Sequence, residues 1–235
     1  AINDANNISF SWALTHREPS RTAYRDANPA IEIRPEKLSD FELGYKFSAS
    51  KFYLNANVFY MDYRDQLVLT GKINNVGSAI MENVDDSYRA GIELMTYWDI
   101  HKVFAWSANA SLSTNKIKDY TAYVDDWDTW PTQREENFGQ TDISFSPSVT
   151  ANNNFIIRPF KGFELNLITN YVGKQYIDNT SNDNRSIDAY LLNNIRLNYG
   201  IETNFIEKID FIVTLNNIFN ESYAANAWVY RYYYD

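Results

Sequence analysis

The sequence predicts an all-β protein: an antiparallel transmembrane β-barrel, represented here by about nine strands of a larger barrel. Three observations predict this fold. Apolar residues recur with a period of two, the predicted strands are long, and the connections alternate between short and long. Successive side chains of a strand point to opposite faces, so a period of two indicates a sheet with one apolar and one polar face.

Each predicted strand places apolar residues on one face and polar or small residues on the other. The apolar faces of the first five strands comprise Ile8, Phe10, Trp12 and Leu14; Phe41, Leu43, Tyr45 and Phe47; Phe52, Leu54, Ala56, Val58 and Tyr60; Tyr88, Ala90, Ile92 and Leu94; and Phe104, Trp106, Ala108, Ala110 and Leu112. Those of the last four comprise Ile143, Phe145, Pro147, Val149 and Ala151; Phe163, Leu165 and Leu167; Leu191, Ile195 and Leu197; and Ile209, Phe211, Val213 and Leu215. The fifth strand is predicted over 103–115 and the sixth over 143–157, and no helix is predicted.

The length of these strands favours a membrane. Most run for about ten residues or more, whereas strands of globular proteins average ~5–6 and a membrane-spanning strand needs ~9–11. The polar faces carry mainly Ser, Asn and Thr, which suit a hydrated interior better than the Lys and Glu pairs of a solvated sheet. Aromatic residues near strand ends, which also fit ordinary β-propensity, are typical of interface girdles.

The connections are sorted by length. Short ones are predicted at 48–51, 99–102, 158–162 and 200–208, and long ones at 17–37, 62–86, 116–142 and 173–189. Outer-membrane barrels have short turns on one side and long loops on the other. A soluble all-β protein is the alternative, but it has no physical reason to sort its loops in this way.

Composition excludes several other classes. The 235 residues contain no Cys, so a disulfide framework, a thiolate metal site and a cysteine nucleophile are excluded. The formal net charge of −9 makes nucleic acid an improbable partner, because binding phosphates needs a surplus of Lys and Arg. No stretch approaches the ~18 consecutive apolar residues of a transmembrane helix.

Five segments carry a resemblance to a known family. They are Arg17-Glu18-Pro19-Ser20-Arg21; Pro35-Glu36-Lys37-Leu38 leading into Phe41-Glu42-Leu43-Gly44-Tyr45; Ser146-Pro147-Ser148 preceding Asn152–Asn154; Tyr171-Val172-Gly173-Lys174-Gln175-Tyr176; and Leu215-Asn216-Asn217-Ile218-Phe219-Asn220. In these segments the chain resembles the barrel of TonB-dependent outer-membrane receptors, in particular those of the Bacteroidetes. The resemblance covers almost the whole chain but only the C-terminal part of such a barrel.

The resemblance implies more than this chain contains. It implies a 22-stranded barrel in the bacterial outer membrane, preceded by a plug domain with a TonB box. We therefore expect residues 1–235 to be the C-terminal portion of the barrel domain, with the plug and the final strand outside the sequence. Nine strands alone would leave backbone groups unpaired in lipid at several kcal/mol each.

The resemblance also implies function. The whole protein would import a scarce nutrient, such as a ferric siderophore or other chelate, haem, cobalamin or a glycan. Its partners would be outer-membrane lipid, TonB through the missing N-terminal region, the small-molecule chelate or glycan, and a surface lipoprotein in some assemblies. Two alternatives stay open: a passive outer-membrane channel or structural barrel partner in an envelope complex, and a soluble carbohydrate-binding β-protein.

Catalysis finds little support. His16 and His101 are expected at opposite ends of the sheet, so they share no metal site. Neither an H-E-x-x-H motif nor a Gly-rich phosphate loop occurs. We predict no enzyme, no cofactor and no catalytic or metal-binding residue.

Two loops carry candidate ligand contacts. The loop 116–142 combines aromatic and acidic residues, namely Tyr120, Tyr123, Asp125, Asp126, Trp127, Asp128 and Trp130. We favour a solvated loop that is packed by its own aromatic residues. A contact for a sugar or chelate is the second interpretation, and a calcium site is the third. Arg17, Arg21 and Tyr24 follow the first strand. They would grip an anionic ligand or, as we favour, hold the loop to the barrel rim. The run Asp178-Asn179-Thr180 with Asp183 and Arg185 predicts turn chemistry.

Overall fold

A computed structural model describes residues 2–26, 32–74, 76–129 and 132–234 of the chain. Strands account for most of the structure. Their bounds are β1 (Asn6–Arg17), β2 (Glu36–Ser48), β3 (Phe52–Ile73), β4 (Ala79–His101), β5 (Phe104–Asp126), β6 (Gln133–Asp142), β7 (Val149–Ile157), β8 (Phe163–Val172), β9 (Gln175–Tyr176), β10 (Ser186–Ile187), β11 (Tyr190–Ile201), β12 (Ile209–Leu215) and β13 (Tyr232–Tyr233). A six-residue helix, α1, spans Arg21–Asp26, and one 3₁₀ turn spans Asp183–Arg185.

Nine of these strands form one antiparallel path in the order β1-β2-β3-β4-β5-β7-β8-β11-β12. The prediction of nine strands in an open antiparallel sheet is therefore confirmed. β6 pairs antiparallel with the second half of β5, and β13 pairs in parallel with the end of β5. Within the described residues the sheet does not close, because β1 and β12 each pair along a single edge.

The two faces of the sheet differ as the sequence predicts. Apolar residues stand in register across neighbouring strands, as where Leu43 pairs with Val58 and Val58 with Ile92. This face is open, with Phe10 70 % and Leu112 53 % exposed. A continuous exposed apolar band of this kind belongs against hydrocarbon. We call this the outer face, and the opposite polar face the inner face.

The connections are sorted between two ends of the sheet. Residues 49–51, 102–103, 158–162 and 202–208 make the turns of one end, which we call the short-turn end. At the opposite, long-loop end, the hairpins β3–β4 and β5–β6 extend well past the apolar band. The sorting predicted from the sequence is confirmed.

The hydrophobic core of the described chain lies at the long-loop end. It is not a layer packed against either face of the sheet. It consists of Val68, Val84, Ile117, Tyr120, Ala122 and Ile143, with Phe138 packed against them. These residues come from the protruding hairpins and from the segment that follows β6. The long-loop end is therefore a packed body with its own apolar centre.

Three local predictions are wrong. The predicted loops 62–86 and 116–142 are largely strands, because each folds back as a hairpin whose backbone groups pair with each other. The predicted strand 143–157 begins only at Val149, since Pro147 has no N–H to donate and Phe145 has a φ of +51°. α1 was not predicted; its start is capped by the hydroxyl of Ser20, which accepts a hydrogen bond from Ala23 N at 3.1 Å. No helix in the described ranges is long and apolar enough to cross a membrane.

Candidate functional site

Three segments of the long-loop end meet at one buried amide, that of Asn179. Its Oδ1 accepts a hydrogen bond from Ser144 N at 2.8 Å, and its Nδ2 donates to Leu69 O at 2.9 Å. The hydroxyl of Ser144 donates to the same carbonyl at 2.7 Å. Asn179 is completely buried. The β3–β4 hairpin, the segment after β6 and the loop after β8 therefore meet at this side chain.

The residues around Asn179 form a second polar cluster. Arg185 Nε donates to Asp178 Oδ2 at 2.7 Å, and its Nη2 donates to Thr180 Oγ1 at 2.6 Å. Asp178 Oδ1 accepts from both the backbone and the hydroxyl of Thr180. These local bonds confirm the predicted turn chemistry and fix the loop that carries Asn179.

A small enclosed cavity lies beside this cluster. It has a volume of about 40 Å³, and Glu82, Tyr120, Asp178 and Arg231 are among its lining residues. The hydroxyl of Tyr120 donates to Glu82 Oε1 at 2.9 Å. Burial raises the pKa of Glu82 and the pKa of Tyr120 above their ordinary values. The volume suits a water molecule rather than a nutrient.

The acidic residues at the tip of the β5–β6 hairpin are engaged by neighbouring side chains. Asp126 Oδ2 accepts from Arg134 Nε at 2.6 Å, and this bond lowers the pKa of Asp126. Asp125 accepts from Gln133 Nε2 at 2.7 Å and from the hydroxyl of Tyr230 at 2.8 Å. Among the described residues no group of three acidic, His or Cys side chains is arranged to hold a metal ion. The calcium interpretation of this loop therefore has no geometric support.

The segment after β12 returns to cover this tip, a contact that the sequence analysis missed. β13 pairs in parallel with the end of β5, and Trp127 N donates to Tyr233 O at 3.0 Å. The ring of Trp127 stacks on Tyr232, with centroids 4.5 Å apart. Arg134 lies over the ring of Tyr233 at 4.3 Å. The only sequence signal for this contact is the aromatic run at residues 230–234.

The predicted candidates in the loop 116–142 therefore occupy different environments. Tyr120 is buried in the core, whereas Tyr123 and Trp127 are exposed. Asp126 is buried in its ion pair with Arg134, and Asp128 is exposed, its backbone N donating to Asp126 Oδ1 at 3.1 Å. Trp130 lies outside the described residues.

Arg17, Arg21 and Tyr24 lie elsewhere on the long-loop end. Arg17 pairs with the buried carboxylate of Glu36 at 2.9 Å, and Glu36 also accepts from Leu67 N at 3.1 Å. Arg21 and Tyr24 are exposed on α1, which is tied to the β3–β4 hairpin where Asn74 Nδ2 donates to Asp26 at 2.9 Å. No described contact joins this group to the tip of the β5–β6 hairpin.

The inner face is a polar wall. Asn152 and Asn170 are hydrogen-bonded across β7 and β8 at 2.6 Å, and Asn154 and Asn166 at 3.0 Å. An open recess of about 510 Å³ lies further along the same face, and its lining includes Glu42, Asn57, Glu93, Ser111 and Thr150. The described part of this face is therefore lined mainly by uncharged polar and acidic side chains.

A sheet with an exposed apolar outer face, a polar inner face and packed loops at one end is part of an outer-membrane-type barrel wall. Residues 1–220 match the family described as TonB dependent receptor-like, beta-barrel. The chain belongs to this family, whose members are outer-membrane β-barrel transporters rather than enzymes. The resemblance inferred from the sequence is confirmed.

Solved structures agree on the fold. The chain is similar to the siderophore receptor PiuA from Acinetobacter baumannii, with a TM-score of 0.70 and 17 % identity over 98 % of this chain and 32 % of that one. The ferric-catecholate import receptor Fiu from E. coli K12 gives 0.68 and 16 % over 98 % and 31 %. The copper transporter OprC gives 0.68 and 14 % over 94 % and 32 %. The chain thus spans about a third of the structures it matches, and no curated protein sequence matches it.

Proposed function

We propose that this chain is the C-terminal part of the barrel of a TonB-dependent importer in the bacterial outer membrane. One observation carries the proposal. The same nine strands present an exposed apolar row to one side and a polar wall to the other. A wall of this kind separates lipid from a hydrated passage. The plug domain that the family uses to close the passage would precede residue 1.

The substrate is proposed to be a small, scarce nutrient that is bound at the long-loop end before it enters the barrel. Similar structures include receptors for ferric chelates and a transporter for copper. The described residues offer no cluster of metal ligands. We infer a ligand presented as a chelate or another organic molecule, as in the receptors for ferric chelates among the similar structures.

Two other functions receive less support. A soluble carbohydrate-binding protein would bury the rows that contain Phe10, Leu43 and Leu112, whereas all three are exposed in register on one face. A passive channel shares the wall and differs in needing no energy source. A channel and an importer therefore differ in their need for energy, which the uptake experiment below measures.

The test uses the full-length receptor in its own cells. The receptor is purified from the outer membrane, and any ligand bound to it is identified by mass spectrometry. Uptake of that ligand is then compared in cells with TonB, without TonB, and without the receptor. We expect uptake to require both proteins. Uptake that persists without TonB, together with ion conductance in planar bilayers, would establish a passive channel instead.

A further inference from the structure

Three aromatic rings form an exposed cluster at the tip of the long-loop end. They are Trp127 from the turn after β5, and Tyr230 and Tyr232 from the returning segment; we call them the aromatic platform. Their centroids lie 4.5 to 6.4 Å apart, with Trp127 and Tyr232 only 18° from parallel. Trp127 is 48 % exposed, Tyr230 45 % and Tyr232 52 %. Exposed rings gathered from two distant segments indicate a contact surface.

The backbone holds the platform in place. Tyr232 pairs with Asp125 in the parallel ladder, and Trp127 N donates to Tyr233 O at 3.0 Å. The hydroxyl of Tyr230 donates to Asp125 at 2.8 Å. These bonds fix the backbone of Trp127 and Tyr232 and the ring of Tyr230 before any ligand arrives, which reduces the conformational entropy lost on binding.

The charges around the platform select against an anion. The tip contains an acidic excess, made up of Asp125, Asp126, Asp128, Glu135 and Glu136 against Arg134, Arg231 and the nearby Lys72, whose charge acts on Asp125. Both arginines are paired with carboxylates, Arg134 with Asp126 and Arg231 with Glu136. An anionic chelate would therefore meet repulsion at this surface.

A metal cation is also a poor match. Asp125 and Asp126 already accept hydrogen bonds from Gln133, Tyr230 and Arg134. A neutral, hydroxyl-rich ligand fits better. The C–H face of a pyranose ring, which carries partial positive charge, packs on the negative face of an aromatic ring. The side-chain oxygen of Gln133, which lies opposite Asp125 in the ladder, and the exposed carboxylate of Glu135 can accept hydrogen bonds from its hydroxyls.

We propose that the aromatic platform binds neutral oligosaccharide. The inference deepens the proposed function, on which it rests, by assigning a substrate class to one part of the long-loop end. The imported nutrient, or the polymer from which it is taken, would then carry uncharged sugar rings.

The test measures binding to the detergent-solubilised full-length receptor. The probes are maltohexaose, cellohexaose and xylohexaose as neutral sugars, with hexagalacturonate and ferric enterobactin as anions. We expect at least one neutral probe to bind, and Trp127→Ala to weaken that binding by about tenfold. Trp127→Phe, which keeps an aromatic ring, should retain most of the affinity. Phe205→Ala, a change to a fully exposed ring at the short-turn end, is the matched control and should have no effect.

The outcomes distinguish failure of the sugar-binding proposal from failure of the import proposal. Failure of every neutral probe, or equal binding by Trp127→Ala and the parent protein, would overturn the platform. Unchanged hydrogen exchange of β5 and β6 in Trp127→Ala would show that the tip remains folded and that the loss of binding comes from the missing ring. If a neutral sugar binds through Trp127 but its uptake does not need TonB, the import proposal fails and the platform stands.

Discussion

The side-chain amide of Asn179 donates to the backbone carbonyl of Leu69 at 2.9 Å, although 110 residues separate the two in the sequence. The carbonyl oxygen of the same side chain accepts from Ser144 N at 2.8 Å. One buried amide thus satisfies a donor and an acceptor on two other segments. In this way the β3–β4 hairpin, the segment after β6 and the loop after β8 are joined at the long-loop end.

We expect Asn179→Ala to loosen the long-loop end. The substitution leaves Ser144 N without its acceptor inside a buried environment, and an unsatisfied buried group costs about 1–3 kcal/mol. Hydrogen exchange of the full-length receptor should become faster at residues 67–71 and 142–146. The membrane-spanning parts of the strands should keep their protection.

Asn184→Ala is the matched control for this prediction, because Asn184 is an exposed asparagine in the same loop. It should leave exchange at both segments unchanged. If Asn179→Ala behaves like Asn184→Ala, the buried amide does not connect the segments.

The sequence predicts the barrel wall well because the wall depends on local alternation. Val58 and Asn57 are assigned to opposite faces by the period-two pattern alone, and the structure places them there. The same alternation continues through Tyr120, Ala122 and Val124, all three buried. Lys116, Lys118 and Asp119 interrupt the apolar pattern, so the sequence predicts a loop here and includes Tyr120 among its candidate ligand contacts.

The long-loop end was less predictable for a physical reason. Asn179 lies in an Asp-Asn-Thr run that is typical of turns bonding to their own backbone, and nothing local indicates Leu69 as its partner. The parallel pairing of Tyr232 with Asp125 likewise joins segments more than a hundred residues apart. Contacts of this kind depend on the three-dimensional arrangement of loops, which residue patterns do not encode.

A charge on the outer face should destabilise the barrel. Val58 lies in the middle of the exposed apolar band, in register with Leu43 and Ile92. Val58→Arg would place a guanidinium in hydrocarbon, at a cost of about 2–4 kcal/mol near the bilayer centre. The loss is measured as the change in free energy of urea-induced unfolding of the full-length receptor in lipid vesicles.

The neighbouring inner-face residue provides the control. Asn57→Arg should cost less than about 1 kcal/mol, because the new cation faces a polar wall and stands opposite Glu93. Equal losses from both substitutions would mean that the two faces meet the same solvent, and the assignment of the outer face to lipid would be wrong.

We expect acid to weaken the contact between the tip of the β5–β6 hairpin and the returning segment. The hydrogen bond from Arg134 lowers the pKa of Asp126, and the backbone N of Asp128 adds to this. A carboxyl group with a lowered pKa stabilises the fold above its unfolded pKa of about 3.9, and this stabilisation is lost as the pH falls through the folded value. Hydrogen exchange of the Trp127 amide, corrected for its intrinsic pH dependence, should therefore become faster below about pH 4.

Asp126→Asn should remove most of this pH dependence, since the variant has no carboxyl group to protonate. Its Trp127 amide should exchange at neutral pH as the parent protein does in acid. Asp119→Asn changes an exposed carboxyl group on the same strand and should keep the parent's pH profile. An unchanged profile in Asp126→Asn would assign the acid sensitivity to another group.

The pair of Arg17 and Glu36 decides between a structural and a ligand-binding role for the first loop. Glu36 is buried and accepts from Leu67 N, so Glu36→Ala should lower the free energy of unfolding by about 1–3 kcal/mol and Glu36→Gln by clearly less.

The Arg17 side chain is 61 % exposed, and Arg17→Ala should lower the free energy of unfolding by at most about 1 kcal/mol. Thermal unfolding of the full-length receptor measures both losses. If Arg17 holds the loop to the rim, its removal lowers stability and leaves unchanged the affinity for the ligand that mass spectrometry identifies on the purified receptor. A fall in that affinity with unchanged stability would instead make Arg17 a contact for an anionic ligand.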